Sequence, residues 1–194
     1  MENMKNIRDH RLINEIRWGS KSAFEQLFFD YYYPLCRFAL KLTGCSELAR
    51  DIVQDVFFKL WKNRETWNIQ SSLQAYLYKA VRNQGLSVME KQDSWEMLID
   101  DYNIQIREEP EEETFAEEDF DFPVAGRQDI LVHRIWMIVD QMPPQRKTVF
   151  ELHRKHGLMY AEISQVMDIA PKTVENHMAK ALQDLRDKLH VDSD

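Results

Sequence analysis

Apolar residues recur every three or four positions along most of this chain, the spacing of amphipathic helices. Ala23, Phe24, Leu27, Phe28, Tyr31 and Tyr32 form the first such stripe. Pro34 is expected to open a second helix, with Leu35, Phe38, Ala39 and Leu42 inward and a stop at Thr43-Gly44. Ser46 is a suitable N-cap for a third helix, predicted from Glu47 to about Arg64. A fourth, from about Ser71 to Met89, turns Leu73, Leu77, Ala80 and Val81 inward and leaves Tyr78, Lys79, Arg82 and Asn83 more exposed. Toward the C-terminus, Tyr160 to Met167 sets Ile163, Val166 and Met167 on one face, breaks at Asp168-Ile169-Ala170 and resumes at Pro171. Proline suits the first position of a helix, where its missing N–H has no intrahelical partner to lose. Alternating β-branched runs are few, so the fold class is all-α.

Two helices joined by so short a turn make a helix-turn-helix, whose second helix enters the major groove of DNA. In that second helix Val174, Met178, Ala181, Leu182 and Leu185 are expected inward. Lys172, Thr173, Asn176, His177 and Lys180 remain outside, able to meet phosphates or base edges. The alternative is an ordinary helical hairpin with a wetted polar face.

The predicted third helix divides differently. At about 100° per residue, Leu48, Ala49, Ile52, Val56 and Leu60 share an inward face, while Asp51, Gln54, Phe58 and Trp61 lie opposite, with Asp55 and Lys62 at the edge. Acidic groups mixed with large aromatics suit a protein interface, where rings anchor among a few polar contacts. A central helix packed on both sides is the other reading. On the fourth helix, Lys79, Arg82 and Asn83, with Trp67 and Tyr76 nearby, form an aromatic and basic mixture that can stack on unpaired bases. Alternatively, Trp67 and Tyr76 simply close the core, the commoner role for such residues.

The net charge of −8 conflicts with a DNA-binding reading until it is divided along the chain. Residues 1–92 hold 14 Lys and Arg against 10 Asp and Glu, and residues 127–194 hold 10 of each. Residues 93–126 hold one basic residue against 13 acidic ones, without amphipathic period, and read as an acidic flexible linker. No apolar run is long enough to span a membrane. The N-terminus lacks the apolar core of a signal peptide, so a cytoplasmic protein with no membrane insertion is expected. Cys36 and Cys45 make neither a disulfide framework nor a zinc site, and the six histidines lack zinc spacing. Neither a cofactor nor a metal is expected. The acids between Glu108 and Asp121 have no paired His or Gly-rich loop, which argues against an enzyme.

Taken in order, certain residues resemble a bacterial RNA polymerase sigma factor of the extracytoplasmic function (ECF) group, within the sigma-70 family. They are Ala23-Phe24, Leu27 and Tyr31; Asp51-Ile-Val-Gln-Asp-Val-Phe57 and Leu60-Trp61; Tyr76-Leu77 and Arg82-Asn83. Met142-Pro143, Phe150-Glu-Leu152, Tyr160-Ala-Glu-Ile163, Thr173-Val174 and His177 follow. The resemblance covers about residues 10–90 and 127–190. It implies sigma region 2 in residues 1–92, the linker in 93–126 and sigma region 4 in 127–194, with no enzymatic activity. Region 2 would dock on core RNA polymerase through Asp51, Gln54, Asp55, Phe58 and Trp61. It would open the minus-10 element and hold its unpaired strand through Trp67, Lys79, Arg82 and Asn83. Region 4 would read the minus-35 element as duplex through Lys172, Thr173, Asn176, His177 and Lys180. Core RNA polymerase, promoter DNA and an anti-sigma protein are the implied partners. Two departures stand out: Met89-Glu-Lys-Gln-Asp93 is weakly charged where the family is Arg-rich, and Arg50 precedes Asp51 where an acid is usual. A stand-alone helix-turn-helix regulator and an inactive polymerase-binding decoy are the competing functions.

Overall fold

The computed structural model describes residues 2–69, 72–100 and 127–191, with side chains at 8–69, 72–91 and 131–189. Eight α-helices and one short 3-10 turn, and no strand, occur among the described residues. The chain divides into two compact units, Met1–Phe115 and Ala116–Asp194.

In the first unit α1 (Glu2–Arg17), absent from the sequence expectations, packs on α2 (Lys21–Thr43) and on a 3-10 turn (Arg64–Thr66). α2 packs in turn on α3 (Ser46–Lys62) and α4 (Leu73–Asp100). Ser20 caps α2 by accepting the Ala23 N–H at 3.3 Å, and Gly44, left-handed at φ 69°, ends it. Pro34 does not open a new helix but lies inside α2. Proline in a helix interior costs about 3 kcal/mol. Here Leu27 before it and Leu35, Cys36, Phe38 and Ala39 after it are all buried. Each aliphatic side chain so buried contributes roughly 1.5–3 kcal/mol, so packing outweighs the local penalty.

α3 starts at Ser46 rather than Glu47, with Cys45 in the N-cap position and no side-chain cap bond; Ser46 is therefore not the cap. Because α3 packs on both α2 and α4, its buried arc is wider than one stripe and takes in Val53 and Phe57. Tyr78 of α4, expected outside, is fully buried, its ring 5.0 Å from that of Phe38. Burial raises its hydroxyl pKa well above the ordinary value. α4 also runs past Met89 to Asp100, into the segment expected to be linker. The acidic run from Arg107 to Asp121 lies outside the described residues.

The second unit is α5 (Arg127–Asp140), α6 (Pro144–Arg154), α7 (Tyr160–Met167) and α8 (Pro171–Val191). α8 contacts the other three, over a core that includes Val149, Leu152, Leu158, Ile163, Val174 and Met178. α7 ends where the sequence breaks: Asp168 adopts φ 55°, a left-handed conformation that Asp tolerates. The Ile169 N–H then donates to Ser164 O at 3.1 Å. Leu182, expected inward, is 39% exposed, since it lies at the margin of the stripe centred on Val174 and Leu185. Cys36 is buried, Cys45 is exposed, and both are free. No described helix is long and apolar enough to cross a membrane.

Candidate protein and nucleic-acid interfaces

The outward arc of α3 survives the double packing of that helix. Asp51, Gln54, Asp55 and Phe58 are all exposed, Phe58 by 66%. Trp61 is half-buried: its ring lies 4.9 Å from Phe24, and the Arg64 guanidinium sits 4.7 Å over its face. Burial raises the Tyr32 hydroxyl's pKa, and Gln54, across the seam with α2, opposes the shift. Asp55 accepts from Gln84 of α4 at 3.5 Å, and Gln84 in turn accepts from Lys59 Nζ at 2.7 Å. Two rings that sequence reasoning passed over, Phe29 and Tyr33, stand exposed one turn apart on α2. Their signal was present, as aromatics falling off the buried stripe.

On α4 the outward side carries Lys79 and Asn83, exposed, with Arg82 half-buried. Trp67 does not join them. It is 5% exposed, and its indole N–H donates to Leu60 O at 2.9 Å. That carbonyl belongs to the last turn of α3, where C=O groups lack intrahelical donors, so Trp67 is a core residue that also caps a helix. Tyr76 is half-buried, its ring 6.4 Å from that of Trp67.

On α8, Lys172, Asn176 and Lys180 are exposed at four-residue spacing, and Thr173 and His177 are half-buried at the edge of their row. Lys172 Nζ donates to Glu175 Oε2 at 2.7 Å, which raises the lysine pKa. The pair is exposed, and solvent screening leaves it little effect on stability. Arg146 of α6 pairs with Asp184 of α8. Burial lowers the His177 pKa below its usual 6.5, and the charges of Arg146 and Lys180 push the same way. At neutral pH the ring therefore offers one donor and one acceptor rather than a charge. No group of three or more potential metal ligands occurs among the described residues.

Residues 27–94 match the family model of sigma-70 region 2, and residues 133–185 match that of sigma-70, region 4. The chain is 22% identical to the ECF RNA polymerase sigma-E factor of Haemophilus influenzae, over 94% of this chain and 96% of that protein. It is 20% identical to the RNA polymerase sigma-H factor of Pseudomonas aeruginosa, over 90% of each. Among solved structures, one of the sigma factor RpoE with the anti-sigma factor NepR from Bartonella quintana aligns with TM-score 0.59 and 22% identity, covering 87% of this chain and 98% of that one. Another, CnrH with the cytosolic domain of CnrY, aligns with TM-score 0.58 and 17% identity, covering 95% and 99%. At these identities the structural likeness is one of fold.

Proposed function

The chain belongs to the sigma-70 family, and we infer that it is a promoter-recognition subunit of bacterial RNA polymerase and not itself an enzyme. The observation that carries this reading is the pairing, in one chain, of a matched region 2 and a matched region 4, each presenting an exposed face of the required chemistry.

In region 2, taken as residues 1–92 with α4 continuing beyond, the α3 face of Asp51, Gln54, Asp55, Phe58 and Trp61 is the polymerase-docking surface. Phe58 is the anchor, since a ring already in water gains apolar burial on docking without any loss to the fold. Lys79, Arg82 and Asn83 on α4 hold the unpaired minus-10 strand. In region 4, residues 127–194, α8 lies in the major groove at the minus-35 element. Lys172 and Lys180 meet phosphates there, while Asn176, Thr173 and neutral His177 are placed for base edges. Strand opening then follows from region 2 holding bases that have left the stack, a cost of a few kcal/mol repaid by pocket and backbone contacts. The protein works in the cytoplasm with core polymerase and promoter DNA, and an anti-sigma protein that covers these faces is its regulator.

Run-off transcription from genomic promoters with core polymerase, with and without this protein, tests the reading. Protein-dependent transcripts sharing minus-10 and minus-35 elements are expected, and Phe58→Ala is expected to reduce them at limiting protein concentration by lowering polymerase affinity about tenfold or more. Because Phe58 is exposed, that variant keeps its stability to within about 0.5 kcal/mol. Binding to core polymerase without any new transcript would point to a decoy. Tight binding to a palindromic duplex without polymerase would point to a stand-alone regulator.

A further inference from the structure

We propose that Trp18, at the turn between α1 and α2, is a stacking platform for an unpaired base of the promoter strand held by region 2. The inference rests on the promoter-subunit reading and adds to it a site outside α4. Trp18 is 91% exposed, the most exposed large apolar side chain among the described residues. No packing within its own unit accounts for a tryptophan in that position.

The ring stands on a fixed backbone. The N–H groups of Trp18, Gly19 and Ser20 donate to Asn14, Ile16 and Glu15 carbonyls at 3.1, 2.9 and 3.0 Å. Gly19 takes φ +86°, a left-handed conformation that glycine adopts without strain, which lets those three bonds form together. Beside the indole lies an open hollow of about 610 Å3, bordered also by Arg11, Asn14, Glu15 and Ser20.

Charge decides the class of ligand. Glu15, which borders the hollow, is already engaged with Arg11 at 2.8 Å, and Glu65 of the adjoining 3-10 turn with Arg64 at 3.6 Å. Arg17 and Lys21, flanking Trp18 in sequence, are exposed, and neither has an ion pair among the described residues. An exposed ring between uncompensated cations suits a base and its phosphates, because every base offers a π-face and every nucleotide a negative charge. A protein partner would have to supply its own acids to match. A Cβ at Gly19 would stand 3.9 Å from Arg64 Nε, which sets the turn beside the 3-10 segment. Arg64 opens the segment that leads through Trp67 into α4, the helix bearing Lys79 and Asn83.

The test uses the full chain assembled with core polymerase and a promoter bubble whose non-template strand is unpaired. Trp18→Ala should lower affinity for the bubble about 5- to 100-fold, the range for losing one base–aromatic stack, and Trp18→Tyr should restore most of it. Replacing the bubble bases one at a time by abasic sites should reveal one position that weakens the native assembly yet leaves the Trp18→Ala assembly unchanged. Affinity for core polymerase without DNA should not move. Equal bubble affinity for native and Trp18→Ala assemblies overturns the proposal. So does a loss of core affinity without DNA, which would assign Trp18 to a protein interface. If the native assembly binds the bubble no better than core polymerase alone, the promoter-subunit reading fails, and the proposal with it.

Discussion

Trp67 separates a DNA-contacting indole from a structural one, and the two roles predict opposite results for a single substitution. In Trp67→Phe most of the ring volume stays, but the N–H that Leu60 O accepts at 2.9 Å is lost. The carbonyl belongs to the end of α3, beneath a side chain only 5% exposed, so water replaces the donor poorly. A net hydrogen bond contributes about 0.5–1.5 kcal/mol, and a buried acceptor left unpaired costs about 1–3 kcal/mol. A destabilisation of about 1–2 kcal/mol is the outcome expected, lowering Tm by roughly 5–15 °C in a domain of this size. Trp67→Ala adds the cavity and reaches about 3–5 kcal/mol, a large part of the roughly 5–15 kcal/mol that holds a small domain together. Urea unfolding of the native chain and both variants, followed by circular dichroism, gives the stability. Binding of the folded Trp67→Phe assembly to a minus-10 bubble gives the contact. Reduced stability with unchanged bubble affinity is expected. Unchanged stability with weakened bubble binding would refute the structural role and return Trp67 to the DNA face.

Further outcomes follow from α8. Lys172→Ala should weaken minus-35 duplex binding and reduce the log–log salt slope by about one, the signature of one lost phosphate contact. Glu175→Gln should act oppositely, strengthening binding because it removes a like charge and frees the Lys172 ammonium; an unchanged salt slope in both would take Lys172 off the contact face. His177 should titrate below 6.5 by NMR, chiefly because of burial, and Lys180→Gln should raise its midpoint. The unfolded chain then takes up this proton first as pH falls. The stability due to the neutral ring is therefore present above about pH 6.5 and lost as pH drops through the lower folded-state value. A midpoint at or above 6.5 would contradict that account.

Helix ends marked by residues with a strong backbone preference were legible in the sequence. Gly44 and Pro171 each stand where their chemistry requires, and the Asp168-Ile169-Ala170 break is a real turn. Pro34 misled because its local penalty is smaller than the burial on either side of it. Tyr78 misled, and Val53 and Phe57 went unassigned, because a wheel assigns one inward face, whereas α3 and α4 each contact more than one neighbour. The candidate docking face on α3 was legible as a mixture of acids and rings unsuited to either core or plain surface. Phe29, Tyr33 and Trp18 were not singled out, because an exposed ring off a stripe shows its isolation only once its neighbours have been placed. Trp67 carried two sequence readings, and the indole N–H on Leu60 O favours the core.

The side chain of Gln84 spans two helices whose outer faces we propose to meet different macromolecules. It accepts from Lys59 and donates to Asp55 on α3, and its sequence neighbour Asn83 belongs to the outer side of α4. A genetic lesion at position 55 therefore disturbs more than the surface it belongs to. A defect in polymerase capture and a defect in strand capture can share one origin here, and neither phenotype alone assigns a residue to a face. Substitutions at positions 55, 59 and 84 are therefore expected to be non-additive, whereas Asp51, a turn away on the same helix, lies outside those two bonds and serves as the internal reference when such phenotypes are sorted.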